Sequence, residues 1–383
     1  MHKNIRRIVV ATLASATLLS ACGSESGSGS SSSGSGSDTV YFGVSGPVTG
    51  ASAEQGQYWK EGFDLALDEI NAAGGIDGKP VALKWEDSQS DPKQSVPIAQ
   101  KFVADDSIIA ELGDFTSGAS MAASSTYQQA GLVQFGFTNS NALFTDGGDH
   151  MWTTSLTQEY YQKLGADEVT KDHKKLSVVY LQSDWGKTSY DLFKAEAEAR
   201  GAEIVYESAI QPDSEDYRPV LIKARDAEPD AIVHIGYAAD GARVVRQVRE
   251  LGFTGQFYGG QNTPQFLESA GEAAEGTIIN ENLLVGNTAP RVTEFYSKFE
   301  GVYGHEPSTF SAYAYDALYV LAQAAEIGGA TREGVYEGLA SGESFDTVQF
   351  GEFTFGDDRR PNDVPTVPVI VRDGTYQALY PQA

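Results

Sequence analysis

The chain is nearly free of cysteine: its 383 residues contain one, Cys22. A single cysteine excludes an internal disulfide and a cysteine-based metal cluster. The five histidines are scattered, and no two of them are four residues apart, so the sequence predicts no metal site. His234 lies within an apolar run and is interpreted as a core histidine whose hydrogen bonds are satisfied.

Signatures of catalysis are also missing. The chain has no Gly-x-Ser-x-Gly nucleophile elbow, no Walker loop and no strand-linked dinucleotide fingerprint. Carboxylates are so numerous that no pair of them stands out as an acid–base couple. The sequence therefore predicts a protein that is not an enzyme and that carries no cofactor.

Positive charge is scarce as well. Lysine and arginine number 27 against 53 aspartates and glutamates, and the net charge is −26. Such a chain repels nucleic-acid phosphates and anionic lipid headgroups. The balance therefore argues against nucleic acid as a partner, but it does not identify a ligand.

The chain has one long apolar run, at residues 8–19, behind three basic residues. About a dozen residues are too few to span roughly 30 Å of hydrocarbon, so residues 1–21 are predicted to be a secretory signal peptide. The end of this segment, Leu19-Ser20-Ala21-Cys22, resembles a bacterial lipoprotein signal. That resemblance implies that Cys22 is lipidated and becomes the new N-terminus. The alternative is a plain secretory signal in which the cysteine occurs by chance.

A segment rich in glycine and serine extends to residue 38. It cannot bury apolar surface, so residues 22–38 are predicted to be a lipidated cysteine followed by a flexible tether with a mean reach of roughly 20–25 Å. The remaining residues, 39–383, are too many for one ordinary core and suit two lobes.

Short β-rich runs alternate with amphipathic segments such as 57–70 and 240–251. This alternation predicts an α/β fold with parallel sheets and right-handed crossovers. The order changes near the end, where 309–326 and 331–339 are predicted to be helices with no strong strand between them. The predicted strands are Val40–Val44, Val81–Trp85, Ile108–Leu112, Leu132–Phe135, Leu176–Leu181, Glu203–Ser208, Ala231–Ile235, Gln256–Tyr258, Thr277–Asn280, Thr347–Phe355 and Val367–Arg372.

The segments that follow the strands differ between the two halves of the chain. Loops 45–52, 113–120 and 136–141 are rich in small hydroxyl residues and lead into predicted helices, which suits binding of an anionic or carbonyl oxygen. Each of them is also explained by simple N-capping. Later strand ends carry Trp185, Tyr237 and the segment 258–262, and these aromatic residues either cover a ligand or pack in the core.

Several motifs resemble the branched-chain amino-acid type of periplasmic solute-binding protein. The segments that carry the resemblance are Gly46–Gly50, Gly62–Ala66, Glu69–Lys79, Gly113–Ser120, Asp184–Gly186, Arg246–Gly252 and Ala312–Ala317. The resemblance implies two doubly wound parallel-sheet lobes joined by three crossovers, with a ligand in the cleft between them. It places lobe 1 at residues 39–157 and 283–363, and lobe 2 at 158–282 and 364–383.

The resemblance also implies a set of ligand-binding residues. Thr116 and Ser117 match the loop that holds a ligand carboxylate, and Thr138 and Asn139 match a second loop of that lobe. Trp185 matches an aromatic residue that closes over the ligand, and Tyr237 matches one near the ligand amine. Leucine, isoleucine and valine binders place a glutamate against the α-ammonium, where this chain has Gln261. The sequence thus predicts a ligand without a free α-ammonium, such as a carboxylic acid, an amide or a urea-like solute. The alternative is that another acid, such as Asp114, Asp184 or Asp240, replaces that glutamate.

These observations predict a lipid-anchored, monomeric, extracytoplasmic protein that captures a small polar solute by hinge closure and delivers it to an ABC permease. A sensory module of the same fold that reports to a membrane receptor is one alternative. An extracellular enzyme with an unrecognised site is another.

Overall fold

The structure is a computed structural model that describes residues 39–212, 214–281, 287–362, 364 and 367–380. The predicted signal peptide, Cys22 and the tether lie outside the described residues. Within the described part of the chain, no helix is both long enough and apolar enough to cross a membrane.

The first sheet has five parallel strands in the order β2-β1-β3-β4-β5. Four of them were predicted from the sequence, and the two-residue strand β5 was not. Three helices, α1 to α3, alternate with the strands. The bounds are β1 (Val40–Gly46), α1 (Ala53–Ala72), β2 (Val81–Asp87), α2 (Pro92–Ala104), β3 (Ile108–Gly113), α3 (Ser117–Ala130), β4 (Val133–Phe135) and β5 (Met151–Trp152).

The second sheet has seven strands in the order β14-β13-β10-β9-β8-β6-β7. Five of them are parallel and alternate with helices. The bounds are α4 (Gln158–Asp172), β6 (Lys175–Leu181), α5 (Asp184–Ala199), β7 (Glu203–Ile210), α6 (Arg218–Asp226), β8 (Ala231–Ile235), α7 (Ala238–Glu250), β9 (Gln256–Tyr258), α8 (Pro264–Ala270) and β10 (Ile278–Glu281).

The helices that follow return to the first sheet. They are α9 (Pro290–Tyr303), α10 (Thr309–Gly328) and α11 (Arg332–Leu339), and they share one apolar core with β1 and α1. Gly62 lets α1 pack closely on α10, since a Cβ there would lie 2.0 Å from the Ser311 carbonyl oxygen. We call the first sheet with α1–α3 and α9–α11 the first lobe, and the second sheet with α4–α8 the second lobe.

The segment 347–355 was predicted to be one strand, and this is wrong. It contributes to a hairpin of two short strands, β11 (Phe345–Thr347) and β12 (Gly351–Phe353). The turn forms because the buried Asp316 carboxylate accepts hydrogen bonds from the backbone N–H groups of Val348 and Gln349, at 2.7 and 2.9 Å.

The chain then crosses to the second sheet, where β13 (Val367–Arg372) pairs antiparallel with β10, and β14 (Thr375–Ala378) pairs antiparallel with β13. The second sheet is therefore mixed, not purely parallel as the strand-helix alternation predicted. The hairpin turns at Asp373-Gly374, whose φ angles of 52° and 70° are those of a two-residue type I′ turn. The predicted α/β fold of two doubly wound lobes with three crossovers is confirmed.

Candidate functional site

A cavity of about 710 Å³ lies where strand-end loops of both lobes meet the start of α10. In open α/β sheets, ligands bind beyond the carboxyl ends of the strands, and this cavity lies there in both lobes. Six of the seven predicted ligand-binding residues line it: Thr116, Ser117, Thr138, Trp185, Tyr237 and Gln261.

The loop after β3 presents hydroxyl groups and the N-terminus of α3. Thr116 is the N-cap, because its Oγ1 accepts a hydrogen bond from the backbone N–H of Ala119. Ser117 Oγ accepts one from the backbone N–H of Asn141, at 3.3 Å. Capping and cavity lining therefore coincide at Thr116. The first-turn N–H groups of a helix have no partner within the helix, so this wall suits an oxygen-rich group.

The loop after β4 forms the adjoining wall. Thr138 Oγ1 donates a hydrogen bond to the Phe115 carbonyl oxygen, at 3.0 Å. Asn139 does not line the cavity. It is fully buried, and its Nδ2 donates to the Asp114 carbonyl oxygen at 2.9 Å, so it fixes the two loops to each other. Ser140 and Asn141 take the lining positions instead.

Arg360 fixes the loop after β4 through hydrogen bonds to its backbone. The sequence analysis did not identify this residue. Its side chain is 3% exposed and donates to the carbonyl oxygens of Asn139, Asn141 and Ser155, at 3.1, 2.7 and 2.7 Å. Burial lowers the pKa of its guanidinium from the ordinary value. No local pattern could have revealed it, because its partners lie more than 200 positions earlier in the chain.

The second lobe contributes stacked aromatic rings. Trp185 and Tyr237 stack with centroids 5.3 Å apart and planes at 21°. Trp185 Nε1 donates to Ser140 Oγ of the first lobe at 3.3 Å, and the rings of Tyr237 and Phe115 lie 5.8 Å apart. Burial, and secondarily the charge of Asp240, raise the pKa of Tyr237 to about 12, so its phenol stays protonated. These rings join the two lobes at the cavity, and their covering of a ligand stays a prediction.

Gln261 lines the cavity and also caps the start of α7. Its Oε1 accepts a hydrogen bond from the backbone N–H of Ala238 at 2.9 Å, at the start of α7. The N-cap residue there, Tyr237, makes no side-chain capping bond. The Gln261 oxygen thus already accepts one hydrogen bond, and its Nε2 carries N–H donors, which disfavour an ammonium group.

Three aspartates were alternatives for the missing glutamate. Asp114 is 1% exposed and accepts from Ser90, from Ser95 and from the N–H of Phe115, and burial raises its pKa. Asp240 is also buried and accepts from the Tyr217 hydroxyl at 2.5 Å. Neither Asp114 nor Asp240 lines the cavity.

Asp184 does line the cavity, and it is the one carboxylate among the described lining residues. Its side chain is solvent-exposed.

His234 also lines the cavity. Burial lowers its pKa to about 3, so the imidazole is neutral. Both ring nitrogens are buried and have no hydrogen-bond partner in the described part of the chain. The interpretation as a satisfied core histidine is therefore wrong, although its place in a buried strand is confirmed. The described residues contain no group of three or more potential metal ligands.

Comparison with known proteins agrees with this architecture. The chain is 29% identical over 351 residues to the Leu/Ile/Val-binding protein homolog 1 of Brucella melitensis, a match that covers 89% of this chain and 93% of that protein. It is 26% identical to the branched-chain amino acid transporter substrate binding protein LivJ of Streptococcus pneumoniae in complex with isoleucine. The TM-score is 0.82, and 89% of this chain and 98% of that chain are covered.

The leucine binding protein LivK of Thermotoga maritima has the same fold at 23% identity, with a TM-score of 0.80 and the same coverage of both chains. The family described as periplasmic binding protein matches residues 39–371 of this chain. The predicted absence of enzymatic activity is confirmed, since this is a family of solute-binding proteins. With both lobes, the cleft and nearly all the folded residues matched, the chain belongs to the extracytoplasmic periplasmic binding protein family and has its type I fold.

Proposed function

We propose that this protein is the solute-binding component of an ABC importer and that its solute has an oxygen-rich head and no free α-ammonium. One observation carries the proposal. The first-lobe wall offers hydroxyls and a helix N-terminus, whereas the described residues of the facing wall offer aromatic rings, a neutral imidazole and an amide, and their one carboxylate, Asp184, lies at the exposed rim of the cavity. A buried ammonium without a carboxylate or an equivalent set of acceptors costs several kcal/mol.

The proposal also includes the lobe boundaries, which stay a prediction. They are 39–157 and 283–363 for the first lobe, and 158–282 and 364–383 for the second. The proposal further includes capture by hinge closure, because a ligand that contacts both lobes favours the closed population. The Trp185–Ser140 hydrogen bond and the Phe115–Tyr237 ring contact support this, since both join opposite walls of the cleft.

A thermal-shift screen of amino acids, amides, aromatic acids and polyamines tests the proposal. A ligand at 100 times its Kd is expected to stabilise the protein by about 2.7 kcal/mol. Small-angle scattering with the first ligand found is expected to show a smaller radius of gyration, and Trp185→Ala is expected to weaken both effects. Trp85→Ala, a tryptophan away from the cavity lining, is the control. A screen without any stabilising solute, or an unchanged radius for a free protein that is open in solution, contradicts the proposal.

The proposal places the protein at the membrane through a lipid on Cys22, a residue outside the described part of the chain. Cys22→Ala removes the thiol that would carry the lipid, so it is expected to abolish acylation and processing at this site. The variant is also expected to leave the membrane, because burial of an acyl chain contributes about 0.8 kcal/mol per methylene to anchoring. Metabolic labelling with a fatty acid and cell fractionation measure both, with Ser20→Ala as the control. Wild-type processing and acylation of Cys22→Ala contradict the lipoprotein assignment.

A further inference from the structure

The cavity continues from the cleft into the second lobe along one face of α4. The residues of α4 that line it are Gln158, Tyr161, Gln162, Gly165 and Val169. They follow the i, i+3, i+4, i+7 spacing of a single helix face. From the first to the last of them, eleven steps of about 1.5 Å rise span about 16 Å.

The opposite side of this extension is the sheet of the second lobe. Val233, Tyr258 and Asn280 line it from the neighbouring strands β8, β9 and β10, and Phe193 of α5 closes its end. The extension is thus largely apolar, with amide groups of Gln162 and Asn280 inside. We call it the α4 annex.

Two features show that the annex is not filled by the fold itself. A Cβ on Gly165 would meet Asn280 Nδ2 at 3.5 Å and the Phe193 ring at 3.9 Å, which are ordinary van der Waals distances, so this part of the annex has unfilled room for at least one methyl group. Asn280 Oδ1 is buried and accepts no hydrogen bond from the described residues. A buried acceptor without a partner is unfavourable, and a donor on a ligand would satisfy it.

Resting on the proposed function, we infer that the solute is elongated. Its oxygen-rich head lies at the Thr116–Ser117 loop, an apolar body lies along α4, and a terminal hydrogen-bond donor pairs with Asn280 Oδ1. Leucine spans roughly 6 Å at about 1.5 Å per bond, so a solute of that size leaves the annex empty. A cavity of about 710 Å³ belongs with the roughly 300–1,000 Å³ pockets that enclose drug-sized ligands.

Calorimetry with a series of ω-carbamoyl carboxylates of four, six and eight carbons tests the inference. Affinity is expected to rise by up to about fourfold per methylene, which corresponds to about 0.8 kcal/mol, and at least tenfold over the series. In Gly165→Leu the eight-carbon member is expected to lose at least tenfold in affinity, while the four-carbon member changes by less than twofold. Gly301→Leu, at an exposed helical glycine with open space around it, is the matched control.

Asn280→Leu provides a second variant in case Gly165→Leu does not fold. Wild type is expected to prefer the eight-carbon amide over octanoate at least tenfold, and Asn280→Leu to lose that preference. An affinity independent of chain length, an eight-carbon affinity unchanged in Gly165→Leu, or a failure of every member to bind overturns the inference. The proposed function is judged separately, by the screen of unrelated solutes, and fails if no solute of any length binds.

Discussion

Calorimetry of the wild-type protein with leucine, isoleucine and valine is expected to show no micromolar binding. In the site proposed above, Gln261 faces the place of an α-ammonium, and its oxygen accepts a hydrogen bond from the N–H of Ala238. Its free donors repel a cation, and the buried carboxylates of Asp114 and Asp240 are engaged elsewhere and do not line the cavity. Because relatives of this chain are named as binders of these amino acids, the experiment directly tests whether Gln261 prevents their binding.

Gln261→Glu is the matching gain-of-function variant. A carboxylate oxygen can still accept from the N–H of Ala238, so the start of α7 keeps its cap while the wall gains a charge. A hydrogen bond to a charged group contributes about 1.5–3 kcal/mol, which predicts a leucine affinity roughly 10- to 150-fold higher than that of wild type. Gln265→Glu adds the same charge outside the cavity and is expected to change nothing. Micromolar binding of leucine by wild type refutes the argument from Gln261 and leaves the family assignment intact.

Arg360→Met is expected to lower the free energy of unfolding by about 3 kcal/mol or more. The substitution keeps most of the side-chain volume but removes three hydrogen bonds from a charged donor, which contribute about 1.5–3 kcal/mol each. The loss is largest at the buried carbonyl oxygens of Asn139 and Ser155, since the Asn141 oxygen still accepts from the N–H of Phe144. Urea denaturation measures the loss. Affinity for any ligand found in the screen is expected to fall at least tenfold, because the loop that carries Thr138, Ser140 and Asn141 is then no longer fixed.

Two variants make the Arg360 result specific. Arg372→Met removes an exposed guanidinium from a strand of the second sheet and is expected to change stability by less than about 0.5 kcal/mol. Arg360→Lys keeps the charge but lacks the planar fork that reaches three oxygens, so an intermediate loss is expected. Equal stability of Arg360→Met and wild type contradicts the assigned role.

Features with local causes were predictable from the sequence. The bounds of β8, β9 and β13 were predicted to the residue, and most other strands to within two, because an apolar run and its flanking turn residues lie side by side in the chain. N-capping by the loop that contains Thr116 was predictable for the same reason, whereas its ligand-binding role was implied by the family resemblance and stays a prediction. Gln261 was singled out because it stands where the resembling family has a glutamate. Its hydrogen bond to Ala238 could not be predicted from the sequence.

Features with distant causes were not predictable. Asn139 and Ser140 are adjacent, polar and small, and only the packing of their loop against Asp114 turns one inward and the other toward the cavity. The antiparallel end of the second sheet follows from the Asp373-Gly374 turn together with a free edge at β10, which is formed almost ninety positions earlier.

The sequence by itself determined the alternation of strands and helices and the chemical character of each strand-end loop, because these depend on neighbours within one or two turns of chain. It also determined the two-lobe class, because 345 residues are too many for one ordinary core. The tertiary structure alone decided which loop residues face the cavity, that Arg360 supports them, and that the cavity runs on beside α4. Hydrogen bonds such as those of Arg360 join groups more than 200 residues apart, and an unfilled space beside Gly165 exists only once α4, α5 and the sheet are packed together.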